Sequence, residues 1–199
     1  NKDPHRFLEG TLVAAKLVEA EKCYIYIRDE YYGLIKLIEK QINILEDKKI
    51  IPKGFLLIRR GAGAYICGEE SALIESIEGK RGLPRNRPPY VAEVGLFGKP
   101  TLVHNVETVY WIREIYEKGG EWFSSHGRNG RKGLRTFSVS GFVKKPGIKL
   151  TDAGITIKEL IEEHCGGMLE GHQFKGYLPG GASGGILPAS LGDIPLDFD

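Results

Sequence analysis

The chain has 199 residues, with 28 Lys plus Arg against 26 Asp plus Glu, a formal net charge of +2 and 41% hydrophobic residues. That is enough chain for one or two domains with a real core, and the charge balance gives no electrostatic reason to expect nucleic acid or an acidic membrane surface as a partner. No apolar run approaches the roughly 18 residues that a spanning helix needs, and the first residues lack the apolar stretch of a signal peptide; direct membrane insertion is not expected, and any service to a membrane should run through partners, from a cytoplasmic location.

Asp3 is placed to cap a first helix with Pro4 at its opening position, and Phe7, Leu8, Leu12, Ala15 and Val18 fall on one face, so the helix is expected to run to about Ala20. Cys23-Tyr-Ile-Tyr-Ile-Arg28 has the β-branched and aromatic alternation of a strand. From Glu30 to Leu45, apolar residues at Ile35, Leu37, Ile38, Ile42 and Leu45 predict a second helix, and Pro52-Lys53-Gly54 leads into an apolar strand at Phe55 to Ile58. Helix, strand, helix and strand at this spacing argue for a parallel, layered α/β sheet. Opening on a helix leaves that sheet without a first strand, so the chain is expected to be a fragment.

Phe55 to Thr108 is the most informative stretch. The strand is followed by Arg59-Arg60-Gly61-Ala62-Gly63-Ala64-Tyr65-Ile66-Cys67-Gly68-Glu69-Glu70-Ser71 and then by a helical pattern with Leu73, Ile74 and Ile77 on one face. A glycine-rich bend between strand and helix is the usual cradle for a nucleotide. A dinucleotide fingerprint fails because Ile66 stands where the third glycine belongs and would crowd helix against strand. A phosphate-binding loop fails too, since Glu69 and Glu70 replace its lysine and hydroxyl, which disfavours an NTP-driven enzyme. The two carboxylates either complement the helix dipole or accept hydrogen bonds from ribose hydroxyls or a flavin ring; spacing alone does not choose.

Lys80 to Pro100 is irregular and rich in Gly and Pro, a length of loop that is usually functional or disordered. Within it Tyr90 either packs the loop down or offers an aromatic face to a base or nicotinamide ring. Val103-His-Asn-Val-Glu-Thr108 opens another helix, continuing through Trp111, Ile112, Ile115 and Tyr116, and His104 and Asn105 lie near its start, where backbone amides can hold phosphate. A histidine at such a place is also a common capping or packing residue.

A second unit follows the basic link around Arg128, Arg131, Lys132 and Arg135, read as a solvated loop because no aromatic residue is interleaved to stack on bases. Thr136 to Val143 is expected as a strand, Lys145-Pro146-Gly147 as a turn and Ile148 to Leu150 as its hairpin partner. Thr156 and Glu159 are spaced as a capping box for a helix to Glu163 that stops at Gly166-Gly167, and a further strand is expected near Phe174 to Leu178. The order suggests a small β-grasp domain. Gly180 to Gly185 lacks the following helix and lysine of a phosphate loop and reads as a turn. Cys23, Cys67 and Cys165 are widely spaced and odd in number, so neither a disulfide scaffold nor a metal site follows; Cys23 and Cys67 are expected as buried free thiols, a pattern that suits a reducing compartment.

The run Gly61-Ala-Gly-Ala-Tyr-Ile-Cys-Gly-Glu-Glu70, with Glu78-Gly-Lys-Arg-Gly82, Pro88-Pro89-Tyr90, Val94-Gly-Leu-Phe-Gly98 and Val103 to Thr108, resembles the NADH-binding flavoprotein subunit of respiratory complex I, a module shared with bidirectional hydrogenases and soluble NAD-dependent formate dehydrogenases. The resemblance extends to Asp3 to Gly10 and Tyr177 to Pro188, and Trp122 to Arg135 with the glycine run looks most like formate dehydrogenase β subunits. It implies a Rossmann-like, FMN- and NADH-binding α/β domain over 1–130, a ubiquitin-like, soluble-ligand-binding β-grasp domain over 131–182, and a connector over 183–199 toward an iron-sulfur domain. It implies hydride exchange between NAD(H) and FMN, single-electron transfer to iron-sulfur clusters, and partners that include a 2Fe-2S subunit and a catalytic subunit. Tyr65, Gly68, Glu69 and Glu70 would meet the flavin edge and the NADH ribose or nicotinamide, Tyr90 the adenine, and Val103, His104 and Asn105 the ribityl-phosphate side; most of the family carries Asn where His104 stands. No residue would act as an acid-base catalyst or metal ligand.

Glu70 and Tyr90 placed far apart, with no shared hollow between them, would overturn this reading. The rival is a non-catalytic ligand-binding or docking module. The family's FMN phosphate loop is expected upstream of Asn1 and its 4Fe-4S ligands beyond Asp199, so this chain alone is expected to bind FMN weakly and to be inactive; a flavin fluorescence titration showing sub-micromolar binding would overturn that.

Overall fold

The computed structural model describes residues 3–61, 63–181 and 184–197, and the chain divides into two compact units, Asn1–Arg113 and Glu114–Asp199. In the first, helix α1 (Pro4–Leu17) starts where the Asp3 carboxylate accepts the Arg6 amide at 3.1 Å and Pro4 occupies a position that needs no donor. It ends three residues before the expected Ala20. Glu19 turns the chain with φ of 51°, and Val18, expected on the buried face, is instead an exposed cap residue.

Strands β1 (Cys23–Arg28) and β2 (Leu56–Gly61) pair in parallel, Cys23 opposite Leu56 and Arg28 opposite Gly61. Helix α2 (Tyr32–Asp47) makes the crossover that parallel pairing requires. Ile35, Ile38 and Ile42 recur at helical spacing and bury against Leu8 of α1, Ile25 and Ile27 of β1, and Ile51 and Leu56. The parallel, helix-layered sheet expected from the sequence is present, with two strands among the described residues.

Helix α3 (Glu70–Ile77) follows β2, and helix α4 (Val106–Lys118) begins after the long loop. Gly10 brings α1 onto α4: a Cβ there would stand 2.0 Å from the Val109 carbonyl oxygen, so only glycine allows the approach. Arg113 pairs with Glu9 at 2.7 Å beside the crossing, and the Arg6 guanidinium lies 5.3 Å from the Tyr110 ring centre.

The 80–100 loop has little regular backbone bonding, and charged groups on α3 hold it instead. Arg85 donates to Glu75 Oε1 at 2.5 Å, to Glu78 Oε2 at 3.1 Å and to the Gly95 carbonyl at 3.2 Å. Glu78 also accepts from Lys80 at 2.7 Å and from the Phe97 amide at 2.6 Å. Below this grip Ile74, Val91 and Leu96 form a second buried cluster. Burial alone would raise the Glu78 carboxyl, but Lys80, the Phe97 amide and Arg85 outweigh it and hold it below its ordinary value.

In the second unit, helix α5 (Gly120–Ser124), not foreseen in the sequence, precedes strands β3 (Leu134–Val139) and β4 (Gly147–Asp152). The two pair antiparallel with Thr136 opposite Leu150. β3 stops short of the expected Val143 because Gly141, at φ of 102°, leaves extended geometry; Val143 is buried and bridges Met168. The capping box forms as expected: Thr156 donates its amide to Glu159 Oε2 at 2.8 Å and accepts the Glu159 amide at 3.2 Å. Helix α6 (Ile157–Glu159) widens into a π turn over Leu160–His164 and ends at Gly166 and Gly167, both at positive φ. Strand β5 (Gly176–Tyr177) pairs with β6 (Leu187–Pro188) among the described residues rather than extending the hairpin. Ala182 and Ser183, in the expected glycine turn, lie outside the described residues.

The basic link is not merely solvated. Arg128 pairs with Glu163 at 2.9 Å and lies 3.7 Å from Asp152, while Arg131 and Arg135 both reach Asp197, at 2.5 and 3.1 Å. Sequence proximity could not reveal these partners, which come from β4, the π turn and the end of the chain. Of the cysteines, Cys165 is fully buried, whereas Cys23 and Cys67, expected buried, are half-buried; burial nonetheless pushes the Cys23 thiol up to about 11.

Gly10→Ala should destabilise the protein by about 1–3 kcal/mol, because one helix must shift to admit the methyl group. Gly33→Ala, whose Cβ would meet nothing within 4 Å, serves as the control in the same denaturant melts. A carboxylate with a lowered folded-state pKa contributes stability that is present above its unfolded pKa and lost as pH falls through the folded value. Glu78→Gln should therefore be less stable than the parent at neutral pH, with the gap shrinking as pH drops below about 4.3; a gap constant between acid and neutral pH would contradict the role given to Glu78.

Candidate functional site

The site is built at the end of β2. Gly61 closes the strand against the Tyr26 ring, where a Cβ would lie 2.3 Å from Cζ, and the Tyr26 hydroxyl is 3.0 Å from Ser76 Oγ on α3. Gly63 takes φ of 75° beside the Glu30 carboxylate, and Arg28 ties the turn by donating to Glu30 at 2.7 Å and to the Gly63 carbonyl at 3.2 Å. These two glycines thus serve side-chain packing and a left-handed turn. A 3₁₀ turn over Tyr65–Gly68 then separates the bend from α3, and Ile66 points outward instead of crowding the helix–strand contact.

Glu69 caps α3. Its Oε2 accepts the Ser71 amide at 3.0 Å, the Ala72 amide at 2.9 Å and the Ser71 hydroxyl at 2.5 Å. The helix amides that could hold phosphate are occupied by this carboxylate, which is the physical basis for excluding a phosphate loop. Arg87 donates to Glu69 Oε1 at 2.5 Å and pairs with Glu70 at 2.8 Å. Partial burial would raise the Glu69 carboxyl, but the Ser71 hydroxyl, the Ala72 and Ser71 amides and Arg87 hold it below its ordinary value. Arg87 is the residue that sequence reading missed. Its sole signal was a cation three residues before Tyr90, facing two carboxylates with no partner nearby in sequence.

A cavity of about 340 Å³ is lined by Tyr65, Ile66, Gly68 and Glu69. Tyr65 is 86% exposed, and a Cβ at Gly68 would meet nothing within 4 Å, so bare backbone and an aromatic face look into the same space. Neither Glu70 nor Tyr90 lines this cavity or the larger one beside Glu75, so the hollow they were expected to share is not found at either; Arg87 pairs with Glu70 and stands three residues before Tyr90 in sequence. Tyr90 is 56% exposed, with its amide fixed on Glu93 at 3.1 Å. A hollow of about 750 Å³ toward the other end of α3 is lined by Glu75, Glu78, Lys80 and Arg85, whose charges are already paired with one another.

At the start of α4, the Asn105 Oδ1 accepts the Thr108 amide at 2.9 Å and its hydroxyl at 2.8 Å, so Asn105 caps the helix. His104 and Asn105 are exposed, whereas the Val103 side chain packs against the Ile74, Val91 and Leu96 cluster. A flat ring fits against the bare Gly68 backbone and the Tyr65 face, with carboxylates at hand for hydroxyl or ring N–H donors; the residues present suit a flavin and a dinucleotide.

Comparison with known proteins bears on this arrangement. A family model described as the Nuo51 FMN-binding domain matches residues 1–114, and one described as the SLBB domain matches residues 136–187. The chain is 41% identical to an NADH-quinone oxidoreductase subunit of Rhizobium meliloti (strain 1021), over 100% of this chain and 49% of that protein. It is 44% identical to the mitochondrial NADH dehydrogenase [ubiquinone] flavoprotein 1 of Dictyostelium discoideum, over 99% of this chain and 43% of that one. The chain thus spans about half the length of these curated relatives. Among solved structures, an NAD+-reducing [NiFe]-hydrogenase in the air-oxidized state superposes with a TM-score of 0.86 at 36% identity, covering 98% of this chain and 34% of that one. With the first match covering more than half of its residues, and this chain aligned over nearly its whole length to relatives more than 40% identical, it belongs to the Nuo51 FMN-binding (complex I 51 kDa-type) family and carries an SLBB domain later in the sequence.

Proposed function

We propose that the chain forms the cofactor-facing part of an NADH dehydrogenase flavoprotein, which exchanges hydride between NAD(H) and FMN and passes electrons singly to iron-sulfur clusters. The observation that carries the reading is the acidic start of α3: Glu69 and Glu70 stand beside the exposed Tyr65 and the bare Gly68 backbone, joined by Arg87 to the segment that bears Tyr90. Bound FMN would supply the two-electron to one-electron conversion that nicotinamide and clusters cannot make with each other.

The chain's own residues bind and orient. Tyr65 and Gly68 offer the flat surface, Glu70 accepts from ribose hydroxyls or the carboxamide, and Glu69, committed to its cap, fixes the helix from which Glu70 projects. Arg87 pairs with both carboxylates, and Tyr90, three residues further along the chain, would offer its ring to the adenine. Backbone at Val103 and the exposed His104 and Asn105 meet the ribityl-phosphate side. Residues 1–130 would make this domain and 131–182 the β-grasp domain. The partners are NADH and the other subunits of a multi-subunit dehydrogenase, among them a 2Fe-2S subunit, in a cytoplasmic setting. The relatives named above are said to serve quinone reduction or hydrogenase assemblies, and a formate dehydrogenase assembly is the further candidate that the Trp122 to Arg135 stretch suggests.

Glu70→Gln in the full-length protein should raise KM for NADH about tenfold, the loss of one charged hydrogen bond. Tyr90→Ala should raise KM with little change in kcat, since adenine stacking is made equally in ground and transition states. Steady-state NADH oxidation with an artificial one-electron acceptor reads both, and unchanged oxidation in Glu70→Gln would favour the docking-module reading.

A further inference from the structure

Ser71 makes none of the ligand contacts proposed above, yet at 1% exposure it is among the most buried polar residues of the chain. Its hydroxyl donates to Glu69 Oε2 at 2.5 Å, and the same oxygen accepts the Arg85 backbone amide at 2.9 Å. Arg85 is held at its other end by Glu75, Glu78 and the Gly95 carbonyl. Two residues further on, Arg87 returns to Glu69 and Glu70. The path Glu69, Ser71, Arg85, Arg87, Glu69 is therefore a closed ring in which one oxygen joins the acidic helix start to the segment carrying Tyr90. Only a group that donates and accepts at once can occupy that point, and its burial keeps water from competing for either bond.

We infer that Ser71 is a positioning residue for the dinucleotide: its hydroxyl sets the spacing between the Glu69–Glu70 pair and the Arg87–Tyr90 segment, so that the two sides of the NADH site keep one register. The inference rests on the NADH reading above. It differs from simple helix capping, which Glu69 performs through the Ser71 and Ala72 amides whether or not residue 71 has a hydroxyl.

The test compares Ser71→Ala, Ser71→Thr and Arg85→Gln in the full-length protein, with FMN content and melting temperature measured beside kinetics. Ser71→Ala should raise KM for NADH about tenfold with kcat within about twofold of the parent. It should also move the acid limb of kcat/KM to higher pH, because Glu69 loses a donor that stabilises its charged form. Ser71→Thr restores the hydroxyl and should restore both. Arg85→Gln keeps the backbone amide and the Ser71 hydroxyl while loosening the loop, and should raise KM without moving the acid limb. The role is overturned if Ser71→Ala retains parental KM and acid limb at parental FMN content, or if Ser71→Thr folds without restoring them. Should Ser71→Ala not fold, an unchanged KM in Arg85→Gln overturns the linkage. A silent Glu70→Gln would sink the NADH reading itself, whereas an active effect there beside a silent Ser71→Ala sinks only the positioning role.

Discussion

Two carboxylates at the start of one short helix repel each other unless a cation lies against both, and Arg87 is that cation. It comes from a loop with little regular backbone bonding, so the pairing also fixes where that loop lies. Because both partners are partly exposed, the Coulomb gain is modest. The geometry, set by Arg85 on Glu75 and Glu78 and by Ser71 beneath, does the positioning. Within the pair the labour is divided: Glu69 is saturated by two amides, a hydroxyl and a guanidinium, while Glu70 is bonded to Arg87 and keeps acceptor capacity for a ligand.

Local chemistry made much of the fold legible. Ile35, Ile38 and Ile42 announced α2 by spacing, Asp3 and Pro4 announced α1, and the Thr156–Glu159 box announced α6, because each signal lies within one turn of the element it starts. The acidic helix start and Asn105 were legible as site candidates for the same reason. Arg87, Arg85 and the Arg128 cluster were not, since their partners stand seven or more residues away and no periodicity marks an ion pair. β5 falls within the strand expected near Phe174 to Leu178, whereas its partner β6, two residues long, is too short to leave an alternating pattern.

The glycine-rich turn shows how a familiar-looking motif can be used differently. Gly61 makes room for Tyr26 and Gly63 supplies a left-handed turn next to Glu30, while the helix amides that phosphate would need are capped by Glu69. The departure of Ile66 from a dinucleotide fingerprint is resolved by the inserted 3₁₀ turn, which carries its side chain away from the helix–strand contact.

The crossing of α1 and α4 at Gly10 is backbone against backbone, with the Val109 carbonyl in the gap a side chain would have filled. Packed side chains hop between rotamers and let neighbouring helices breathe, but a contact of this kind has no rotamer to change. Asn105 sits one helical turn before Val109, so the cap inherits a stiff mounting, and thermal jitter at the start of α4 is damped by main chain alone.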